Sequence, residues 1–530
     1  MRIKQASKNI KYATIAYFLK IILQLVVRLV FVKSLPVEYL GINGLFTNLL
    51  AMLSLAELGV APAIVYSLYQ PLATQDSATV KSLMQLFKKA YISIGCIIIT
   101  AGICMIPWLD WFIKENDITG IKWFYFIFLL NTGLSYFYSY KRNLLIADQK
   151  QYVNSIYQSV GQIVLSVLQI LALLVFPSYW LYIILMLLVT VSENFAAARK
   201  TEKIYPYLLD KNVQKLSIDV KNTIAKNIKA MIAHKLGSVA VFSTSNLILA
   251  KFVGLVEVGF YSNYYMVISA ANSFAGQFFS SITASIGNLI ALESNQKKAD
   301  IFKITEFMVA WQALVIGCGF FTLLNPLIEI WLGKQFLFDE AIVTWLIVNF
   351  YLTYMRKAVL AFRDASGLYW NDRYKPIAEA IINLAASVYF TINYGVVGVI
   401  WGGIISTLLT CFWVEPYVLF RNGIDIKLKD YFKDYLQYAV LSVLTAVVSK
   451  WLYTSLFNDV SIINFILGVI LCLAISNVVW IAVFRKREEM AYLRNVARDK
   501  FGMNFFERGR HMMYIKRHLE TTIEKLSGCC

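Results

Sequence analysis

Within the stretch YFLKIILQLVVRLVF, residues 17–31, three polar side chains interrupt an apolar run: Lys20, Gln24 and Arg28. Steps of four residues put them on one helix face, spread over about 12 Å. The chemistry open to such a face is anion binding. A guanidinium offers bidentate donors that match phosphate, and a lysine adds a mobile point charge. Two simpler readings stand beside it. Arg28, near the far end of the run, could snorkel to the membrane interface, and Lys20 could pair with a carboxylate.

Glu57, in SLAELGV, is open to three readings: a neutral protonated acid, a salt bridge to Lys20, or an ion-coupling group. Lys235 follows His234 into a later apolar run, where it reads either as a second anion contact or as an interfacial lysine. His234 reads as a satisfied helix-end residue. The pairs Lys141/Arg142 and Arg356/Lys357 sit at the ends of two further runs. They are either anchors at the cytoplasmic interface or a cationic vestibule that gathers an anion. Glu379 and Glu415, nearer helix ends, are weaker candidates.

The elements that must carry these residues follow from composition. The chain of 530 residues is 58% hydrophobic and 15% charged, with mean hydropathy +0.60. Soluble domains carry nearer 25% charge, so this is an integral membrane protein. Runs long enough to cross about 30 Å of hydrocarbon begin near Tyr12, Gly41, Lys88, Ile121, Val153, Tyr179, Lys229, Val258, Ile304, Ala341, Ile377, Val396, Tyr435 and Ser461. Each is helical by necessity, because lipid offers no partner to the backbone. The expected fold is therefore an all-α membrane protein of about fourteen transmembrane helices. The run from Tyr12 to Val32 is too long for a signal-peptide core and reads as a retained helix.

Lysine and arginine concentrate on the cytoplasmic side of inserted helices. With both termini inside, only Lys33, Lys114, Lys122, Lys251, Lys334 and Lys450 of the 50 Lys and Arg fall in outside loops. The net charge of +18 is then mostly topology, with attraction to anionic lipids as its corollary, and calls for no nucleic acid. Short outside loops and only three histidines argue against an enzyme such as a polysaccharide polymerase. No Walker-type phosphate loop is present, and the seven cysteines show no metal-ligand spacing, so no cofactor is expected.

The sequence also echoes itself. FVKSLPVEYLGINGLF from Phe31 matches FVGLVEVGFYSNYY from Phe252, and YKRNLLIADQ from Tyr140 matches MRKAVLAFRD from Met355, at nearly the same offset. The implied plan is a first lobe of six helices (1–198), a cytoplasmic connector (199–228), a second lobe of six (229–420), two appended helices (421–484) and a basic cytoplasmic tail (485–530).

The segments YLGINGLFTNLLAMLSLAELGVAPAIVYSLYQPLA, KRNLLIADQKQY and AMIAHKLGSVAVFSTSNLILAKFVGLVEVGFYSNYYMVI resemble bacterial polysaccharide-repeat flippases of the multidrug/oligosaccharidyl-lipid/polysaccharide exporter superfamily. The resemblance covers essentially the whole chain. It implies two pseudo-symmetric lobes around a central cavity, residence in the bacterial cytoplasmic membrane, and alternating-access transfer of undecaprenyl-diphosphate-linked oligosaccharide from the inner to the outer leaflet. Polymerase or assembly proteins of the same pathway are the implied partners. On that reading Lys20, Arg28, Lys235, Arg142 and Arg356 would greet the diphosphate, and Glu57 would serve as coupling group or counter-ion. Polar residues such as Asn43, Asn48, Asn246 and Asn383 either pack helices together or line a sugar path. Relatives often carry an acidic residue before the Asn of the seventh helix, where this chain has Ser245 before Asn246. The rival within the superfamily is a cation-coupled multidrug antiporter, whose site should be lined by carboxylates.

Overall fold

In hydrocarbon the backbone can bond only to itself, and among its described residues this chain answers with helices. A computed structural model describes residues 19–57, 60–113, 118–148, 150–210, 244–368 and 371–501, with 216, 218, 222 and 224 as isolated positions. Helix α1 covers residues 19–34. It is followed by α2 (Glu38–Leu53), α3 (Val60–Ala73), α4 (Ser77–Met105), the short α5 (Leu109–Phe112), α6 (Ile121–Ala147), α7 (Gln151–Val175) and α8 (Tyr179–Ile204). Helix α9 spans residues 244–252. Then come α10 (Leu255–Leu292), α11 (Asn295–Leu332), α12 (Glu340–Met355), α13 (Lys357–Ala365), α14 (Lys375–Tyr394), α15 (Val396–Leu409) and α16 (Cys411–Asn422). Helices α17 (Leu428–Leu456), α18 (Ile462–Phe484) and α19 (Glu488–Phe501) complete the order.

Among the described residues, seven helical stretches are long and apolar enough to cross a membrane, including α7, α8, α11, α17 and α18. The protein is an all-helical, multi-pass membrane protein. Contacts divide it into a large unit, Met1–Ile475, and a small one, Ser476–Cys530. The site described below lies wholly within the large unit.

Several apolar runs are broken where the sequence reads as continuous. After α2 the chain tightens into a 3₁₀ turn, Ser54–Glu57, with the Ser54 hydroxyl donating to the Leu50 carbonyl at 2.8 Å. Arg356 sits at the joint between α12 and α13. Thr410 separates α15 from α16, and its hydroxyl donates to the Ser406 carbonyl at 2.6 Å. Each break falls at or beside a polar side chain that is at least partly buried: Glu57, Arg356 and Thr410.

Close helix contacts then bring the polar faces together. Helix α2 lies against the start of α10 so tightly that a Cβ on Gly41 would stand 2.0 Å from the Leu255 carbonyl oxygen. Only glycine permits that approach. The same glycine logic joins α14 to α15, where a Cβ on Gly398 would meet the Phe390 carbonyl carbon at 2.2 Å. Helix α1 is held by the Trp331 indole of α11, which donates to the Leu25 carbonyl at 3.0 Å. Phe31 of α1 also packs edge-on against Tyr182 of α8, with ring centroids 4.9 Å apart.

Candidate functional site: a cationic cavity

A cavity of about 1180 Å³ is lined by α1, α2, α9, α10, α11, α12, α14 and α15. Pockets for drug-sized ligands run about 300–1,000 Å³, so this space suits something larger. Lys20, Gln24 and Arg28 all line it, in keeping with their four-residue spacing.

Arg28 is the unusual member. Its Nε is buried and has no hydrogen-bond partner, and among the described residues the polar group it senses is the Tyr182 hydroxyl rather than a carboxylate. A buried donor left unmade costs about 1–3 kcal/mol, more when charged. Such a group in a native structure calls for an explanation, and a bound water, ion or ligand supplies one. Lys20 is exposed, and its charge reaches Glu193 of α8.

Arg356 also lines the cavity, but its charge is already answered. Its Nε and Nη2 donate to the two carboxylate oxygens of Glu415 at 2.9 and 2.7 Å, and Glu379, itself in the lining, lies 3.6 Å from Nη1. Glu415 has no exposed surface. It also accepts from Lys375. Arg363 stands 3.8 Å from Glu415 and pairs with Asp372 at 2.7 Å. This is a closed ionic cluster tying α12, α13, α14 and α16.

Arg142 of α6 makes the comparable tie in the first half of the chain, and it is not part of the cavity lining. Its guanidinium donates to Asn154 of α7, to Asn194 of α8 at 2.7 Å, and to Glu193 at 3.0 Å. Its neighbour Lys141 donates to Glu202 at 2.5 Å. In the matching pair, Lys357 lies 3.8 Å over the Tyr354 ring. His234 and Lys235 lie outside the described residues.

Glu57 does not pair with Lys20. It sits in the turn after α2, where its carboxylate accepts hydrogen bonds from Tyr91 of α4 and, at 2.9 Å, from Tyr136 of α6. The two tyrosines face a separate polar space of about 360 Å³, while Lys20 faces the main cavity. Nothing in the sequence marks those two tyrosines as Glu57's partners. Tyr261 and Tyr265 of α10 are cavity residues that sequence reasoning also missed. The signal was present, because they repeat the one-turn spacing of Lys20, Gln24 and Arg28.

The arrangement can therefore hold an anion at α1, inside a large and otherwise uncharged or internally neutralised space. Residues 6–285 match the family described as "Polysaccharide biosynthesis protein". The chain belongs to that family. No curated protein matches the sequence of this polysaccharide biosynthesis protein. Solved structures match its fold. The lipid II flippase MurJ, in an inward closed conformation, aligns with a TM-score of 0.64 at 13% identity, over 89% of this chain and 99% of that one. An inward-facing multidrug resistance MATE family transporter of the MOP superfamily aligns with 0.58 at 12%, over 75% and 94%. A substituted form of the Vibrio cholerae MATE transporter VcmN aligns with 0.56 at 12%, over 79% and 98%. At such identities the likeness is one of fold: this polysaccharide biosynthesis protein shares the fold of those three transporters.

Proposed function

We propose that this protein is a flippase for undecaprenyl-diphosphate-linked oligosaccharide repeats, moving them from the inner to the outer leaflet by alternating access for capsule, O-antigen or exopolysaccharide synthesis. The observation that carries the reading is Arg28, a partly buried guanidinium whose Nε is unanswered and which has no carboxylate partner among the described residues, facing a cavity of about 1180 Å³. A diphosphate supplies the missing acceptors, and Lys20, two turns away on the same face, supplies a second charge. Arg356, already held by Glu415, would contribute field rather than a vacant donor. Arg142 would brace the lobe behind the site. Lys235 is retained as a contact at the cavity mouth, and Glu57 as a coupling or counter-ion group.

The cargo enters this reading through the family and through the likeness to a lipid II flippase. A multidrug cation antiporter fits less well, because the only carboxylate in the lining, among the described residues, is Glu379, and it is paired with Arg356. The architecture that goes with the proposal has fourteen spans, two six-helix lobes within residues 1–198 and 229–420, two appended helices, and both termini in the cytoplasm of a bacterium. Anionic lipids and a polymerase or other assembly proteins are the proposed partners.

The test is mass spectrometry of polyprenyl-linked lipids from the native host after depletion of this protein, with a leaflet-accessibility probe. One lipid-linked oligosaccharide should accumulate, shielded on the cytoplasmic side. Single repeats gathering on the outer face would overturn the proposal and favour a polymerase.

A further inference from the structure

The cavity has two chemically different walls. The part of the lining built by α9 and α10 carries no charge: it includes Ser245, Asn246, Tyr261, Ser262 and Tyr265. The Asn246 side-chain oxygen is buried and has no hydrogen-bond partner among the described residues. It is an acceptor awaiting a donor, as Arg28 is a donor awaiting an acceptor. Tyr261 and Tyr265 lie one helical turn apart with rings nearly parallel, 16° between planes and 6.1 Å between centroids. Tyr261 is 8% exposed and sits within reach of the Ser245 hydroxyl. Tyr265 is 47% exposed although it lines a cavity, so its ring is open to whatever enters.

An open aromatic ring with a second one a turn away, in the same lining as an unanswered amide oxygen, is the chemistry of carbohydrate recognition. The C–H face of a pyranose packs on the ring, and its hydroxyls donate to the amide. A simple lipid tail would use the ring but leave the Asn246 oxygen unmade. A bare inorganic anion would use neither. We propose that Asn246 and Tyr265, with Tyr261 behind, form a sugar subsite that reads the sugar next to the anionic group held at Arg28. The subsite rests on the flippase reading, because only an anion joined to a sugar engages both parts of the lining. It makes Tyr265 and Asn246 specificity-determining residues in a cavity whose cations alone would accept many phosphorylated lipids.

The test uses the full-length protein in nanodiscs of neutral lipid. The probes are undecaprenyl diphosphate and the same lipid carrying glucose, galactose or N-acetylglucosamine, with dissociation constants read by native mass spectrometry. In the wild type, at least one sugar should tighten binding about tenfold over the bare diphosphate. Tyr265→Ala and Asn246→Ala should each bring that ratio close to one, and Tyr265→Phe should keep it. An unchanged ratio in both alanine variants would overturn the subsite, as would a wild type that gains nothing from any sugar. An equal weakening of bare and glycosylated lipid in Tyr265→Ala would assign the ring to the polyprenyl chain instead. A wild type that binds none of the four lipids would sink the flippase reading, and the subsite with it.

Discussion

Arg356 holds Glu415 with both arms of its guanidinium, at 2.9 and 2.7 Å, and Glu415 has no exposed surface. The same carboxylate takes Lys375, so one anion stands between two cations. Removing a single partner from a buried pair costs about 3–5 kcal/mol, because the remaining charge has no solvent to turn to. Glu415→Ala should therefore lower the thermal unfolding midpoint of the purified protein sharply, and Arg356→Leu combined with Glu415→Leu should recover part of the loss. Additive losses in the double variant would show that the two residues act independently.

Arg28 should behave in the opposite sense. With no protein carboxylate answering it, Arg28→Gln breaks no ion pair among the described residues. The unfolding midpoint should hold or rise, while lipid transfer in proteoliposomes falls by about tenfold or more. Arg28→Lys should keep part of the activity, since the charge remains and the fork does not. A stability loss as large as that of Glu415→Ala would mean that Arg28 is structural.

Arg142→Ala is the control for position along the membrane. Its guanidinium ties α6 to α7 and α8 through Asn154, Asn194 and Glu193, away from the cavity lining. The substitution should destabilise by about 3–5 kcal/mol, measured by denaturation in detergent. In whatever fraction stays folded, affinity for the lipid should fall less than in Arg28→Gln, since the freed Glu193 acts on the site only through Lys20.

The seam at Gly41 yields a conformational prediction. A Cβ there would overlap the Leu255 carbonyl, so Gly41→Val must push α2 away from α10. A cysteine placed at Asn43, on the same helix, should then react faster with a soluble maleimide than it does in a Gly41 background. Equal reaction rates would show that the seam yields elsewhere.

Outside the spans, Asp76 caps α4, its carboxylate accepting from the Thr79 backbone N–H at 3.0 Å. The Thr79 hydrogen bonds hold the Asp76 carboxyl below the ordinary aspartate range. Its contribution to stability is therefore fully present above the unfolded aspartate pKa and lost as pH falls through the depressed one. Asp76→Ala should remove that acid-side slope from the pH dependence of unfolding, and an identical slope in both proteins would contradict it.

Much of the architecture was legible because hydrocarbon imposes length and apolarity on every span. The runs beginning at Ile121, Tyr179 and Val396 begin helices at those residues. The α1 face was legible for the same reason, since a cation every fourth residue in an apolar run has few explanations, and the face does line the cavity. Pairing was not legible. Arg28 and Arg142 look alike in one dimension, and what separates them is Glu193, on a different helix and reachable only through the fold. Glu57 was weighed against Lys20 because both are charged, yet two uncharged tyrosines from α4 and α6 hold it. Neutral partners leave no trace in a charge pattern. Tyr265 escaped notice because a tyrosine in an aromatic-rich membrane protein reads as packing until its exposure is known.

The unanswered charge at Arg28 has an electrical consequence under the proposed cycle. A loaded cavity, with the diphosphate set against Lys20 and Arg28, moves through the membrane field nearly neutral. An empty one carries those cations bare, and an inside-negative voltage draws each toward the cytoplasm with about 2.3 kcal/mol per 100 mV if it crosses the whole field. The resting potential would then act mainly on the return stroke, as the spring that rewinds the empty carrier.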